Sequence, residues 1–254
     1  MTSFFRIVVP PTLFMGTASL PAFFYVYTKH CSFEPMDPAT DTTFHTSFYK
    51  KFNPNQNPPF YDLCVRRIPV NHLDPSIAKD AEQGGSKLVE RFAQGVWGGW
   101  GFAIQREYLA LKYKNDTTTA HQLWTKPELK SSKYEVGTEL TDHFQVLERR
   151  DPNTILFRCG DSPLRSPEGA RPGDGLFEMS AKADMENGFA EFKLKTIFYQ
   201  GEGHTDKAPH QGEWFMPFAH RQYAKLWLEN AVHNCRAGAF DNIDYEAIKP
   251  GFRK

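Results

Sequence analysis

Residues 175–200 read GLFEMSAKADMENGFAEFKLKTIFYQ, and residues 213–236 read EWFMPFAHRQYAKLWLENAVHNCR. These two stretches decide the fold. In the first, Phe177, Met179, Ala181 and Ala183 alternate with Glu178, Ser180, Lys182 and Asp184. After Met185-Glu186-Asn187-Gly188, the series Ala190, Phe192, Leu194, Thr196 and Phe198 alternates with Glu191, Lys193, Lys195 and Tyr199. A period of two with one polar face predicts antiparallel strands over 175–185 and 189–200, joined by a hairpin turn. In the second stretch Phe215, Phe218, Ala219, Tyr223, Leu226, Trp227 and Val232 share one face of a 3.6-residue period. That predicts a long helix able to lie across the sheet.

Working outward, 154–160 and 138–148 are strand-like, with Ile155, Phe157 and Cys159 alternating with Thr154, Leu156 and Arg158. YDLCVRRIPV (61–70) supplies a further strand, and Asp74-Pro75 opens a short helix with proline at its first position. From Lys87 to Tyr113 the pattern is helical. Leu88, Phe92, Val96, Phe102 and Leu109 form one face, with Ala93, Trp97, Trp100, Ile104, Tyr108 and Leu111 beside it. That helix, or a pair broken near Gly98-Gly99, is apolar most of the way round and is expected to be buried. Strand, helices, antiparallel strands and a final amphipathic helix make an α+β order. The expectation is a curved antiparallel sheet wrapped around the C-terminal helix, with an apolar cavity enclosed between them.

Residues 61–236 resemble the START-like (helix-grip) superfamily, and more specifically a fungal branch of it. The resemblance is carried by NPNQNPPFYDLCVRRIPV, KLVERFAQGVWGGWGFAIQREYL, TDHFQVLERRDPNTILFRCGDSP, GDGLFEMSAKADMENGFAEFKLKTIFYQGEG and the helix around RQYAKLWLENAV. It implies a fold that binds lipids, polyketides or other hydrophobic molecules. It also implies a place in secondary-metabolite pathways, where such small proteins act as cyclases or pericyclases, norbornene-forming Diels–Alderases of sordarin-type biosynthesis among them. No catalytic motif comes with the resemblance, so the site residues below rest on their own chemistry.

The 254 residues include 22 Phe, and 40% of them are hydrophobic, enough for one substantial core. Thirty basic residues balance thirty acidic ones, so no net field steers nucleic acid. Cys31, Cys64, Cys159 and Cys235 are scattered without zinc spacing and read as buried, reduced thiols. No phosphate loop, dinucleotide fingerprint, nucleophile elbow or metal-spaced histidine pair is present. The expectation is chemistry without metal or cofactor.

Residues 1–30 form an apolar segment, uncharged from Ile7 to Tyr27 (IVVPPTLFMGTASLPAFFYVY). Its length suits a membrane anchor, but Pro21 and Gly16 equally suit an apolar arm packed on the domain. A cytoplasmic protein, with membrane association through residues 7–27 as the alternative, is the corresponding localisation. Residues 31–60, rich in Pro, Asn and Asp, read as a linker or arm, and 237–254 as a tail.

Asp142, Tyr199 and His220 are the candidate catalytic residues. Asp142 shares a strand face with Leu140, Phe144 and Val146, where a carboxyl group must be hydrogen-bonded or shifted towards its neutral form. His220 stands one turn from Tyr223 on the last helix and could carry a proton. Tyr199, with Thr196 and Gln200, ends a strand where donors could polarise a carbonyl. Trp97, Trp100, Phe144, Phe177, Phe198, Tyr223 and Trp227 are candidate cavity walls. Arg158 is a candidate clamp for a substrate oxygen, set against a structural salt bridge near Asp161. The resulting expectation is a cofactor-independent cyclase, pericyclase or isomerase folding a small hydrophobic polyketide or terpenoid. A non-catalytic carrier of hydrophobic ligands is the alternative.

Overall fold

The computed structural model describes residues 19–164, 166 and 169–238. Residues 7–18 of the apolar run and 239–254 of the tail lie outside the described residues. Seven helices and seven strands follow: α1 (Ser19–Thr28), β1 (Ser32–Glu34), α2 (Ser47–Phe52), β2 (Phe60–Pro69), α3 (Pro75–Glu82), α4 (Lys87–Trp97), α5 (Trp100–Tyr113), α6 (Lys126–Ser131), β3 (Glu139–Leu140), β4 (Phe144–Asp151), β5 (Thr154–Gly160), β6 (Asp174–Asp184), β7 (Phe189–Tyr199) and α7 (Phe215–His233). Among the described residues no helix is long and apolar enough to cross a membrane.

The strands make one antiparallel sheet in the order β1-β2-β7-β6-β5-β4-β3. Register aligns Phe60, Phe198, Gly175, Cys159 and Phe144 across five strands, and Asp62, Thr196, Phe177, Phe157 and Val146 in the next row of the same face. This inner face is covered by α4 and α7, which also pack on each other, while α5 lies against α4 and α7. The architecture is α+β and compatible with a helix-grip arrangement.

Glycine explains how α4 and α7 come so close. A Cβ at Gly95 would lie 2.6 Å from the Ala231 Cα, and one at Gly99 only 1.7 Å from the Asn230 Nδ2. The Asn230 amide instead donates to the Gly95 carbonyl at 2.8 Å. The glycines of GVWGGWG therefore allow helix-to-helix contact, and the helix breaks at Gly98-Gly99.

The outer face of the sheet is covered as well. Residues 31–60 supply the edge strand β1, a 3₁₀ turn at Thr42–His45 and helix α2. Phe44 and Phe52 bury against Leu156, Leu176, Ile197 and Tyr199. A polar knot pins the segment: Lys195 Nζ meets Asp41 at 2.7 Å and Glu178 at 2.9 Å, and the Thr43 hydroxyl donates to Glu178 at 2.7 Å. The segment read as a linker or arm packs along the sheet's outer face.

Candidate functional site

The space under α7, where an enclosed cavity was expected, is occupied by side chains. The Trp97 ring lies 4.6 Å from Phe144, 5.1 Å from Phe102, 5.4 Å from Phe157 and Trp227, and 5.9 Å from Phe177, centroid to centroid. Tyr223 closes on Trp227 at 4.8 Å. These are contact distances for edge-to-face aromatic packing, and every residue of the set except the half-buried Tyr223 is buried. Trp97, Phe144, Phe177 and Trp227 thus assemble as predicted neighbours, but as a packed cluster where cavity walls were expected. The Trp97 indole N–H is buried there without a hydrogen-bond partner, while that of Trp227 donates to the Gly101 carbonyl at 3.3 Å.

At the edge of this cluster the structure joins two titratable groups from distant parts of the chain. Asp62 is buried on the inner face of β2. Its Oδ1 lies 3.3 Å from the His220 Nε2 on α7, and its Oδ2 lies 3.8 Å from the Arg221 Nε. The rings of Phe60 and Phe198 stand edge-on to the His220 imidazole at 5.4 and 5.5 Å. Thr196 is the cross-strand partner of Asp62. One turn further along α7 the Tyr223 hydroxyl donates to the Gln105 side chain at 3.1 Å, and burial pushes its phenol above the ordinary range. Thr196 and Phe198 thus flank the Asp62–His220 pair, while the Tyr223 hydroxyl is engaged by Gln105.

Asp62 escaped sequence reasoning because YDLCVRR shows a polar residue at an interior position, which the alternation treats as noise. The signal was present: Asp62 shares its face with Cys64, and a carboxylate on that face requires a partner from the covering helix. Burial and the nearby Asp62 charge push the Cys64 thiol up to about 12.

The remaining candidates lie elsewhere. Asp142 is not on a continuous strand; the segment breaks into β3, a turn and β4. Thr141 and Asp142 both take left-handed backbone conformations, at φ 47° and 68°. The Asp142 carboxyl is fully buried, with the His143 Nδ1 3.1 Å from its Oδ2, and its backbone N–H donates to the Gln122 side chain at 2.7 Å. Tyr199 lies on the outer face, edge-on to Tyr49 of α2 at 5.3 Å, its phenol raised by burial. The three catalytic candidates therefore occupy three separate places: the far edge of the sheet, its outer face, and the helix over β2.

Arg158 also faces outward, where it forms a two-point ion pair with Asp174, at 3.0 and 2.6 Å, and stacks 3.6 Å above the Phe52 ring. Asp161 is not its partner; that carboxylate accepts from the Gly173 N–H. Gln200 caps its own turn, donating to the Glu202 carbonyl.

Trp100 is at the surface. It begins an apolar stripe along α5 that continues through Ile104, Tyr108 and Leu111, exposed at 37%, 55%, 44% and 90%. Tyr27 of α1 meets Trp100 at 5.7 Å. The helix pattern read as buried most of the way round is buried only through Gly101, Phe102 and Leu109 over α5.

Comparison with family models, with curated proteins and with solved structures finds no match to this chain. Among the described residues no group of three or more His, Cys, Asp or Glu side chains could hold a metal ion.

Proposed function

We propose that this chain is a cofactor-independent biosynthetic enzyme, a cyclase, pericyclase or isomerase of the START-like kind, acting on a hydrophobic polyketide or terpenoid. The observation that carries the proposal is the buried Asp62 carboxylate holding His220 between the rings of Phe60 and Phe198. A histidine oriented by a desolvated carboxylate is suited to moving a proton to or from a bound molecule. Apolar rings beside it would hold a flexible hydrocarbon in a reactive shape and exclude water. Thr196, across the strand from Asp62, adds a hydroxyl group that would stabilise charge on a carbonyl oxygen.

The test begins with disruption of the gene and isolation of the metabolite that accumulates. That metabolite is then incubated with the purified protein and with His220→Gln and Asp62→Asn. Conversion by the unaltered protein, slowed on the order of 100-fold or more in His220→Gln at unchanged circular dichroism, is the expected outcome. Unchanged turnover in both variants would remove the pair from the chemistry.

The exposed stripe on α5 favours a second reading, a non-catalytic carrier that collects hydrophobic ligands at membranes. Trp and Tyr beside Ile and Leu suit the bilayer interface, and Trp100 and Tyr108 belong to that stripe. Flotation with phosphatidylcholine vesicles that is lost in Ile104→Glu/Leu111→Glu, together with stoichiometric metabolite binding and no turnover, would support the carrier over the enzyme.

A further inference from the structure

A concavity lies at the C-terminal end of α7. It has a volume of about 530 Å³ and is walled by α1, the end of β2, the 3₁₀ turn Val70–His72 and the last turn of α7. Arg66 and Arg236 converge there on Glu229, at 2.9 and 4.0 Å. His30, His72 and His233 line the same cleft. Two guanidinium groups thus share a single carboxylate in a cleft that three histidines also line, so cationic groups outnumber anionic ones there. The Arg236 Nε–H is buried without a hydrogen-bond partner. The Arg236 side chain as a whole is 29% exposed where it lines the cleft, and an oxyanion is the group that matches a planar cation.

The rest of the wall is apolar. Val26 and Tyr27 come from α1, and Ile68 and Pro69 from β2. A volume of this size suits a small organic molecule and exceeds what one oxyanion fills. We propose that this cleft binds a small amphiphile, its carboxylate or phosphate on Arg236 and Arg66 and its hydrocarbon along Val26, Tyr27 and Ile68. The site is separate from the Asp62–His220 pair: Glu229 follows His220 by nine residues, about 14 Å along a helix axis.

The test is calorimetric titration of the full chain at low salt with inorganic phosphate, with butyl phosphate and with vesicles containing phosphatidylserine. Butyl phosphate is expected to bind saturably, about tenfold or more tighter than inorganic phosphate because of the apolar wall. Arg236→Gln is expected to weaken it by about tenfold or more. His72→Gln, at an exposed position that leaves the core intact, should also weaken it. Absence of saturable binding, equal affinity in Arg236→Gln and His72→Gln, or binding of vesicles without binding of butyl phosphate would each overturn the proposal.

Discussion

Trp97 touches five other aromatic rings and is fully buried, so its removal cannot be absorbed by one neighbour. Trp97→Ala is expected to cost about 3–5 kcal/mol, and Trp97→Phe less, in urea unfolding monitored by circular dichroism. Arg158 makes the complementary case for a buried charge. Desolvation raises the Asp174 carboxyl above its ordinary range, and the Arg158 guanidinium works against that rise. Arg158→Met leaves the carboxylate buried and is expected to cost about 3–5 kcal/mol at neutral pH. An acid whose folded-state value is raised binds its proton more readily when folded, so stability falls as pH rises through that window. The Arg158→Met variant should therefore regain stability as the pH drops towards the range in which Asp174 protonates. Equal losses at all pH values would place the cost in the stacking on Phe52 instead.

At the level of elements, α6 shows local sequence directing local structure. The Thr125 hydroxyl accepts from the Glu128 N–H, and the Glu128 carboxylate accepts from the Thr125 and Trp124 N–H groups. Those backbone donors hold Glu128 below the usual glutamate range. The cap's contribution is therefore complete above that range and fades as the pH falls through it. Glu128→Ala should cost about 1 kcal/mol at neutral pH, with the gap to the unaltered protein closing in acid; a gap independent of pH would assign the loss to helix propensity.

The strands were legible for a comparable reason. Over 154–160, 175–185 and 189–200 the alternation separates the two faces, although Leu156, Leu176 and Ile197 break it on the outer face, where segment 31–60 buries them, and the turn Met185–Gly188 falls between β6 and β7. The α5 stripe was misread because apolar residues at positions 100, 104, 108 and 111 imply burial by periodicity, yet all four remain exposed, Trp100 even with Tyr27 against it. Asp142 was misplaced because consecutive left-handed residues at Thr141 and Asp142 leave no mark in composition. The Asp62–His220 pair was half legible, since a sequence offers the histidine on its helix but not the register that brings β2 beneath it.

For the whole molecule, the segment 31–60 is part of the folded unit. It covers Leu156, Leu176 and Ile197 on the outer face and satisfies Glu178 and Lys195. A chain beginning at residue 59 would expose that apolar surface and leave the buried Glu178–Lys195 pair without Asp41 and Thr43. Such a truncation is expected to bind a hydrophobic dye and to lose its cooperative urea transition; a truncated chain that unfolds at the same urea concentration as the full one would contradict this.

The two margins of the sheet are also the places where its strands are shortest. Ser32–Glu34 and Glu139–Leu140 span three and two residues. Beyond them β2 presents Arg66 and Arg67, while β4 carries Glu148, Arg149 and Arg150 through two register shifts. Neither margin offers a long, flat, uncharged row of amides. A chain so rich in phenylalanine could otherwise polymerise strand by strand, and the frayed, charged selvedge denies a neighbouring copy any template on which to start.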